Sequence, residues 1–348
     1  PKPVALFKFE QPPRKAWLTD DGQRLVAVGG SHGDGLQTWE IKVWETASLR
    51  IIHSITLSNI LNVSVSPSGR WVIVSERDRK CLWDISAEAP VEGKLDFSGS
   101  GGVSAFTPDE SRVATATMDG KEIRILEIPS GRSLTPPLVH SNSVIFLAFD
   151  REGRQLLSGT KREARWWATG QARVWNATTG EPITDWLECR EAVSFATFSP
   201  DGKALAVLGD RGVYEWNGRQ DAVRVFDLPS GRLRFSTFPQ MDSILDAAFS
   251  LDGRFLATVC ADHALTIWHA QSGEPLHPPI KHDGLVFAVC FSPDGNWLAT
   301  RSESELCVWD VRSGMRLWEV RSGIVGAHQL KNGMQSLAFS PDGSRLIT

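Results

Sequence analysis

A polar four-residue turn recurs eight times along the 348-residue chain, each time between two apolar runs. In the copy SPDG, proline fixes φ at the second position, aspartate can bond its own backbone, and glycine tolerates the conformation that follows. Each copy therefore predicts a hairpin turn between two β-strands. The eight copies lie at 19–22, 66–69, 107–110, 150–153, 199–202, 250–253, 292–295 and 340–343.

The spacing of these turns constrains the architecture more than any other feature. Successive turns are 41 to 51 residues apart, close to the about 40 to 45 residues of a four-stranded propeller blade, with extra loop in some copies. In most copies a third apolar run closes on an aromatic residue, as LCVWD does at 306–310, and the third copy has Leu126 there. The first run, such as VIFLAF at 144–149, is continuously apolar, which is typical of a strand covered on both faces. The pattern predicts four-stranded sheets packed radially.

Composition narrows the class of protein. A hydrophobic content of 41%, 22% charged residues and a net charge of -4 are typical of a globular chain and disfavour generic nucleic-acid binding. The longest apolar runs have seven residues or fewer, far below the roughly 20 that a membrane-spanning helix needs. The five cysteines show no CxxC spacing and are expected to be buried free thiols. With no basic-then-apolar leader, the sequence predicts a cytoplasmic protein, and it looks like part of a longer one.

The combined pattern FSPDGxxLAT followed by VWDxxSG resembles the WD40 repeat over essentially the whole chain. The resemblance implies an all-β, WD40-type β-propeller of about seven four-stranded blades, with a ring of eight left open. It divides the chain into an orphan outer strand at 1–15, seven blades at 16–332, and the first strands of a further or ring-closing blade at 333–348. The linkers at 134–140 and 276–282 are similar to those of WD40 arrays in multidomain bacterial proteins, some fused to Ser/Thr protein kinase domains.

The family's hydrogen-bonded set of His, Ser or Thr, Asp and Trp is complete in no unit. The sixth unit keeps Thr258, Asp262 and Trp268 without the histidine. The seventh keeps a histidine, a threonine and a tryptophan at His282, Thr300 and Trp309. These gaps weaken the expectation of a buried hydrogen-bond network, although apolar packing can carry the fold.

The candidate binding residues lie on two insertions between second and third strands, at 161–171 in unit four and 210–221 in unit five. Strand direction sends both to one face, the top face, and the long loop 31–40 of unit one carries a further tryptophan. Aromatic residues and arginines within a polar rim are typical of interaction hot spots. The alternative is that the tryptophans only staple long hairpins over the rim. The predicted partner-binding residues are Lys161, Arg162, Arg165, Trp166, Trp167, Arg211, Tyr214, Trp216, Arg219 and Trp39.

No motif predicts an enzyme. Gly29, Ser31 and Gly33 match GxSxG, but a nucleophile elbow needs a strand-to-helix turn, and this segment lies between two strands. The histidines show no metal-ligand spacing, and no cofactor is expected. We predict a non-catalytic scaffold or sensor domain that binds a protein or peptide partner, without nucleic acid. The alternative is a ligand- or peptide-sensing regulatory domain of a larger bacterial signalling protein such as a Ser/Thr kinase, which would use the central funnel.

Overall fold

The structure, a computed structural model of the chain, contains β-strands and turns and no helix in the residues it describes. These residues are 13–19, 23–33, 36–58, 60–76, 80–85, 91–94, 102–117, 119–163, 168–189, 192–210, 223–237, 244–302, 305–321, 337–340 and 342–347. Within them the strands form seven four-stranded antiparallel sheets and one two-stranded sheet. Each sheet is built from consecutive strands, and we number the sheets as blades in chain order.

The first four blades take their strands in order from the inside outward. Blade one comprises β1 (Pro13–Leu18), β2 (Arg24–Gly33), β3 (Leu36–Glu45) and β4 (Ile51–Ser58). Blade two comprises β5 (Ile60–Val65), β6 (Trp71–Glu76), β7 (Lys80–Asp84) and β8 (Val91–Lys94). Blade three comprises β9 (Ser104–Phe106), β10 (Arg112–Ala116), β11 (Glu122–Glu127) and β12 (Leu138–Val139). Blade four comprises β13 (Ser143–Phe149), β14 (Gln155–Glu163), β15 (Ala168–Asn176) and β16 (Leu187–Cys189).

The remaining blades repeat this order. Blade five comprises β17 (Ala192–Phe198), β18 (Ala204–Asp210), β19 (Arg224–Asp227) and β20 (Arg232–Ser236). Blade six comprises β21 (Ile244–Phe249), β22 (Phe255–Cys260), β23 (Ala264–His269) and β24 (Ile280–Lys281). Blade seven comprises β25 (Val286–Phe291), β26 (Trp297–Ser302), β27 (Glu305–Asp310) and β28 (Arg316–Arg321). The two-stranded sheet comprises β29 (Ala338–Phe339) and β30 (Leu346–Ile347).

The six tetrapeptides that the structure describes in full form the predicted turns between first and second strands. In the copy at 292–295, the amide of Gly295 donates to the carbonyl of Ser292 at 2.9 Å, and the Ser292 hydroxyl accepts the amide of Trp297 at 2.9 Å. Gly295 has φ 70°, a conformation that glycine adopts without strain. The third copy ends in Glu110, which takes the same left-handed conformation at φ 57°.

One boundary differs from that predicted. The first strand of blade one begins at Pro13, three residues earlier than expected, while the rest of the predicted orphan strand lies outside the described residues. The outer strands of blades three, four and six begin well after their turns, and in blades three and six the prolines of Pro136–Pro137 and Pro278–Pro279, which have no N–H to donate to a ladder, lie in the gap.

The hydrophobic core lies between neighbouring blades. One cluster joins Leu157 and Val174 of blade four to Val193 and Leu205 of blade five. The inner strands β13, β17, β21 and β25 contact each other in sequence. The tryptophan that ends the third strand faces the preceding blade, since Trp268 packs with blade-five residues such as Ala206. These contacts explain why the first and third runs are so apolar.

Buried hydrogen bonds are present in both blades whose family sets are incomplete, so the gaps in these sets did not predict a missing network. In blade seven, Trp309 Nε1 donates to Thr300 Oγ1 at 2.8 Å, and His282 Nε2 lies 2.9 Å from the same hydroxyl. In blade six, Trp268 Nε1 donates to Thr258 at 2.9 Å. In blade seven three of the four family positions are enough to form the network, because the Thr300 hydroxyl can bond both rings without an aspartate.

Blade four contains a second complete His–hydroxyl–Trp set that the sequence analysis did not identify. Ser158 Oγ lies 2.8 Å from His140 Nε2 and accepts Trp175 Nε1 at 2.9 Å, while His140 Nδ1 lies 3.0 Å from the carbonyl of Leu138. Burial lowers the pKa of His140 to about 4, so its imidazole is neutral at pH 7. In the sequence, the signal for this hydrogen-bonded set was His140, the histidine at the end of LTPPLVH.

Blade three replaces this set with a lysine from blade two. Lys80 occupies a position where other third strands carry aliphatic residues such as Ile123 and Leu265, and it is buried. Its Nζ donates to the hydroxyl of Thr115 and, at 2.8 Å, to the carbonyl of Ala116. Burial lowers the pKa of Lys80 to about 7. The side chain thus links two adjacent blades by hydrogen bonds.

Candidate functional site

The antiparallel order of each blade places its second-to-third-strand connection on the top face. In blade six this connection is short, since the ladder between β22 and β23 ends at Val259 and Leu265. In blade four the ladder continues to the pair Glu163–Ala168. The predicted insertion at 161–171 is therefore largely a continuation of β14 and β15, with 164–167 outside the described residues. The result is a hairpin whose ladder is longer than that of blade six.

The structure places three of the ten predicted binding residues. Lys161 is an exposed residue of β14 paired with Ser143, and Arg162 lies one position further along, opposite Thr169. Trp39 is the third residue that the structure places. The other seven lie outside the described residues, so the predicted grouping of these seven stays a prediction. These residues are Arg165, Trp166, Trp167, Arg211, Tyr214, Trp216 and Arg219.

Trp39 lies in β3 of a similar long hairpin, in which β2 and β3 pair as far as Gly33 and Leu36. Its side chain is partly buried and packs against the cluster that contains Val28 and Ile41. This contact fits the stapling role more closely than an exposed binding role. The Gly29–Gly33 segment lies within β2 and precedes a strand, so it lacks the geometry of a nucleophile elbow.

The base of the long hairpin of blade four packs against blade five. Gly159 of β14 approaches Val193 of β17 so closely that an added Cβ would lie 2.6 Å from Val193 Cγ1. On the outer side of the hairpin, Gln171 Nε2 donates to Glu188 Oε1 at 2.6 Å. The hairpin base is therefore held by contacts on both sides.

An aromatic cluster supports the outer part of blade four. The ring of His140 lies 5.3 Å from each of Trp175 and Trp186, and these two indoles are 6.1 Å apart. The guanidinium of Arg173 lies over both indoles, at 4.8 and 4.7 Å from their ring centres, and its Nε donates to the carbonyl of Thr184. These contacts stabilise the base of the hairpin sheet.

A second candidate site is a cavity of about 650 Å³ lined by the inner strands of blades five to seven and by β29. Asp246 is its acidic group, and its carboxylate accepts the amides of Ala247 at 2.9 Å and Val289 at 3.0 Å. Burial raises the pKa of Asp246 to about 6, against the opposing effect of these two amides. Sequence analysis missed Asp246 because a single carboxylate in the run ILDAAF has no motif around it.

The cavity also includes the side chain of Cys290, whose pKa burial raises to about 12, so the thiol stays protonated. All five cysteines are free, and four of them are buried. In the described ranges no group of three or more His, Cys, Asp and Glu side chains is arranged to hold a metal ion. The described part of the chain also has no helix long and apolar enough to cross a membrane.

Comparison with known families and proteins identifies the repeat. The family model described as "WD domain, G-beta repeat" matches residues 234–269 and 273–310, which cover the outer strand of blade five, most of blade six and most of blade seven. Apoptotic protease-activating factor 1 of Rattus norvegicus is 24% identical over 313 residues, which is 88% of this chain and 23% of that protein. The chain thus spans about a quarter of the length of this relative.

Two further relatives match shorter stretches. The small ribosomal subunit protein RACK1y of Oryza sativa subsp. japonica is 24% identical over 48% of this chain and 46% of its own length. Eukaryotic translation initiation factor 3 subunit I of Scheffersomyces stipitis is 30% identical over 30% of this chain and 28% of its own length.

A solved structure supports the fold independently. The crystal structure of the computationally designed Ika8 protein matches with a TM-score of 0.64 at 17% identity, covering 88% of this chain and 90% of that one. Seven four-stranded antiparallel blades, the repeated turn and the family match therefore confirm the predicted all-β propeller. The chain therefore contains repeats that match the WD40 family at residues 234–269 and 273–310.

Proposed function

We propose that this chain is a non-catalytic protein-interaction scaffold that binds a protein or peptide partner through the top-face hairpins of blades four and five. The observation that carries the proposal is the β14–β15 hairpin, whose ladder continues to the pair Glu163–Ala168, whereas the ladder of blade six ends at Val259–Leu265. Blade six shows that a blade forms without so long a hairpin. The tip carries Trp166, Trp167 and Arg165, residue types that are enriched in binding hot spots.

The names of two relatives support a scaffold role. One is a small ribosomal subunit protein and another is a subunit of a translation initiation factor, so both are components of larger assemblies. We propose that this chain is likewise part of an assembly. The five free cysteines favour a reducing compartment such as the cytoplasm. A connection to kinase-fused bacterial arrays stays a prediction.

The test is capture of a partner by the wild-type chain and by a variant with Trp166→Ala, Trp167→Ala and Trp216→Ala. Captured proteins are identified by mass spectrometry, and the dissociation constant is then measured with the purified partner. We expect the triple variant to bind at least about tenfold more weakly, because hot-spot truncation typically costs 2 kcal/mol or more. Circular dichroism establishes that each variant folds.

A matched control is Trp297→Ala, which removes a partly exposed tryptophan near the turns on the opposite face. Loss of binding in the triple variant alone supports the top face. Equal binding by the triple variant and wild type contradicts the proposal and leaves the tryptophans as structural staples.

The second candidate function is ligand or peptide sensing through the central channel. The observation that favours it is the cavity of about 650 Å³ with the Asp246 carboxylate in an otherwise largely apolar wall. A basic group is the chemistry that such a carboxylate would bind. Asp246→Asn should abolish binding of a basic ligand while leaving top-face binding unchanged.

A further inference from the structure

Arginines that stack on aromatic rings recur in the described part of the chain, and most of them are also paired with a carboxylate. Four guanidinium groups there lie over a ring, and three of these make an ion pair with an acidic residue of the same blade. The three pairs are Arg70–Asp84, Arg254–Asp252 and Arg316–Glu319. In each pair the chain itself supplies the acid that the guanidinium binds.

Arg173 of β15 is the fourth of these arginines, and it has no carboxylate partner in the described residues. Its guanidinium lies over two indoles, those of Trp175 and Trp186, at 4.8 and 4.7 Å from the ring centres. Its Nε donates to the carbonyl of Thr184 at 3.1 Å. The two terminal amino groups, with four N–H donors in one plane, meet no acceptor in the described part of the chain.

The register of blades four and seven shows which position differs between them. Ala172 and Leu306 are equivalent, because each lies three positions before the tryptophan that ends its third strand. Their outer-strand partners are Leu187 and Val320. The two residues that precede these partners therefore hold the same position, and they are Trp186 and Glu319.

In blade seven this position supplies an acid. Glu319 Oε2 lies 2.9 Å from Arg316 Nη1, while the guanidinium of Arg316 lies over Trp309. In blade four the same position supplies a second indole. We call Arg173, Trp175 and Trp186 the arginine corner. This corner has a stacked arginine without the carboxylate that accompanies the arginine of blade seven.

The arginine corner is held in place and is open to solvent. Trp175 is buried and donates from Nε1 to Ser158 Oγ at 2.9 Å, whereas Arg173 and Trp186 are half-buried. The terminal amino groups of Arg173 reach solvent, since they are not among the buried polar atoms that lack a partner. A guanidinium already fixed by two rings and a carbonyl loses little conformational freedom when it binds a ligand.

The surroundings of the corner favour a singly charged acid over a phosphate. Asp185 and Glu188, on the segment that carries Trp186, are both exposed and acidic. They would repel the nearly two negative charges of a phosphate more strongly than the single charge of a carboxylate. The neighbouring His140 adds no positive charge at pH 7, because burial lowers its pKa to about 4.

We propose that the arginine corner binds a carboxylate of an acidic partner peptide, with the terminal amino groups of Arg173 donating to the two carboxylate oxygens. The planar guanidinium matches a carboxylate in this bidentate geometry. The half-buried indole of Trp186 packs against the aliphatic part of the acidic side chain. The peptide thus supplies from outside the group that Glu319 supplies within blade seven.

This surface is separate from the predicted top-face site. Trp175 packs with Ile123 and Leu138 of blade three, and Trp186 packs against the same cluster. The corner therefore lies on the side of blade four that faces blade three. It includes none of the ten predicted partner-binding residues.

The test follows the indole N–H signals of Trp175 and Trp186 by heteronuclear NMR spectroscopy of the 348-residue chain. The variants Trp175→Phe and Trp186→Phe assign these signals. The probe is a short capped peptide in which valine and glutamate alternate, and the matched neutral probe has glutamine in place of glutamate. We expect the glutamate peptide to shift both signals saturably and the glutamine peptide to bind at least about tenfold more weakly.

Variants of the arginine test the bidentate contact. Arg173→Lys keeps the positive charge but loses the planar fork, and Arg173→Met loses both, so each should bind the glutamate peptide at least about tenfold more weakly. The matched control is Arg232→Met, which removes an exposed arginine from the outer strand of blade five. This variant and the top-face triple variant should bind the peptide as wild type does.

A second pair of variants leaves the arginine in place. Trp186→Glu puts a carboxylate at the position that Glu319 holds in blade seven, where it should occupy Arg173 and exclude the peptide. Trp186→Gln removes the same indole without adding a charge. We expect Trp186→Glu to bind the peptide at least about tenfold more weakly than Trp186→Gln, as the Trp175 signal reports.

Four results would overturn the proposal. The first is no saturable shift of the Trp186 signal with the glutamate peptide up to about 10 mM. The second is equal binding by wild type and Arg173→Lys, and the third is equal binding by Trp186→Glu and Trp186→Gln. The fourth is tighter binding of a matched phosphoserine peptide, because the corner would then select phosphate. Circular dichroism establishes the fold of every variant.

Discussion

Lys80 of blade two donates a hydrogen bond from Nζ to the carbonyl oxygen of Ala116 in blade three, 2.8 Å away. The neighbouring donation to Thr115 uses the hydroxyl that corresponds by register to those of Thr258 and Thr300. Blade three has Leu126 in place of the usual tryptophan, so its hydroxyl has no indole to bond. A lysine from the preceding blade fills this role.

Lys80 should make stability depend on pH in the alkaline range. Its pKa is about 7 in the folded chain, against 10.5 for an ordinary lysine. Between these values the unfolded chain binds a proton that the folded chain does not, so the free energy of unfolding rises with pH. Lys80→Met should remove this rise and, near pH 6, should raise the free energy of unfolding by about 1–4 kcal/mol. Urea denaturation at several pH values measures both effects.

The control for this prediction is Lys203→Met, which changes an exposed lysine. It should leave the pH dependence as in wild type. A Lys80→Met chain that is less stable near pH 6, and still gains stability up to pH 10, would show that the ammonium is a net stabilising link.

Thr300→Val should destabilise the chain. The substitution keeps the shape but removes the hydroxyl that lies between His282 and Trp309, leaving two buried polar groups without it. We expect a loss of about 1–3 kcal/mol in the free energy of unfolding, measured in urea. Thr178→Val, at an exposed position, is the comparison. Equal stability of the two variants would mean that the network contributes nothing.

Val74→Thr in blade two should stabilise the chain. The pair Val72–Trp83 places Val74 where blade seven has Thr300, and Trp83 Nε1 is buried without a partner in the described residues. A hydroxyl there would accept this donor, and we expect a gain of about 0.5–1.5 kcal/mol in thermal or urea unfolding.

The matched control is Val207→Thr, because the aromatic residue in blade five is Phe226, which has no donor. That hydroxyl would be buried without the same partner, and this variant should lose stability. If both threonines destabilise the chain equally, the missing acceptor for Trp83 Nε1 does not limit the stability of blade two.

Gly159→Ala should destabilise blade four, although alanine usually suits a strand better than glycine. The added Cβ would lie 2.6 Å from Val193 Cγ1 of blade five, and such overpacking typically costs about 1–3 kcal/mol. Adding Val193→Ala removes the obstructing methyls, so the two changes together should cost less than the sum of their separate costs. If the costs of the two changes add exactly in chemical denaturation, the strain does not come from the contact between residue 159 and Val193.

The fold could be predicted because its signals are local and repeated. A turn such as Ser292–Gly295 is fixed by its own four residues, and eight copies at one spacing leave few architectures open. The networks were less accessible, because His140 and Ser158 are distant in sequence and meet only through the register of blade four. The burial of Lys80 was not predicted, because it depends on which neighbouring blade lies against its side of β7.

The candidate sites were harder still. A hairpin length can be counted, but whether Trp39 binds or packs depends on neighbours such as Val28, which belong to a different strand. Asp246 belongs to the channel only because inner strands from several blades converge there. The exposure of Trp297 in blade seven is noticed only when it is compared with Phe255, the buried residue at the same position of blade six.

The two sides of blade seven differ in exposure. Trp297 is 42% exposed, whereas Phe255, which holds the same position in blade six, is 8% exposed. In a repeat structure each unit draws much of its stability from its neighbours, so a unit with a more exposed side opens at a lower free energy than the units behind it. The amide protons of β27 and β28 should then exchange with solvent sooner than those of β22 and β23, although the ladders are alike.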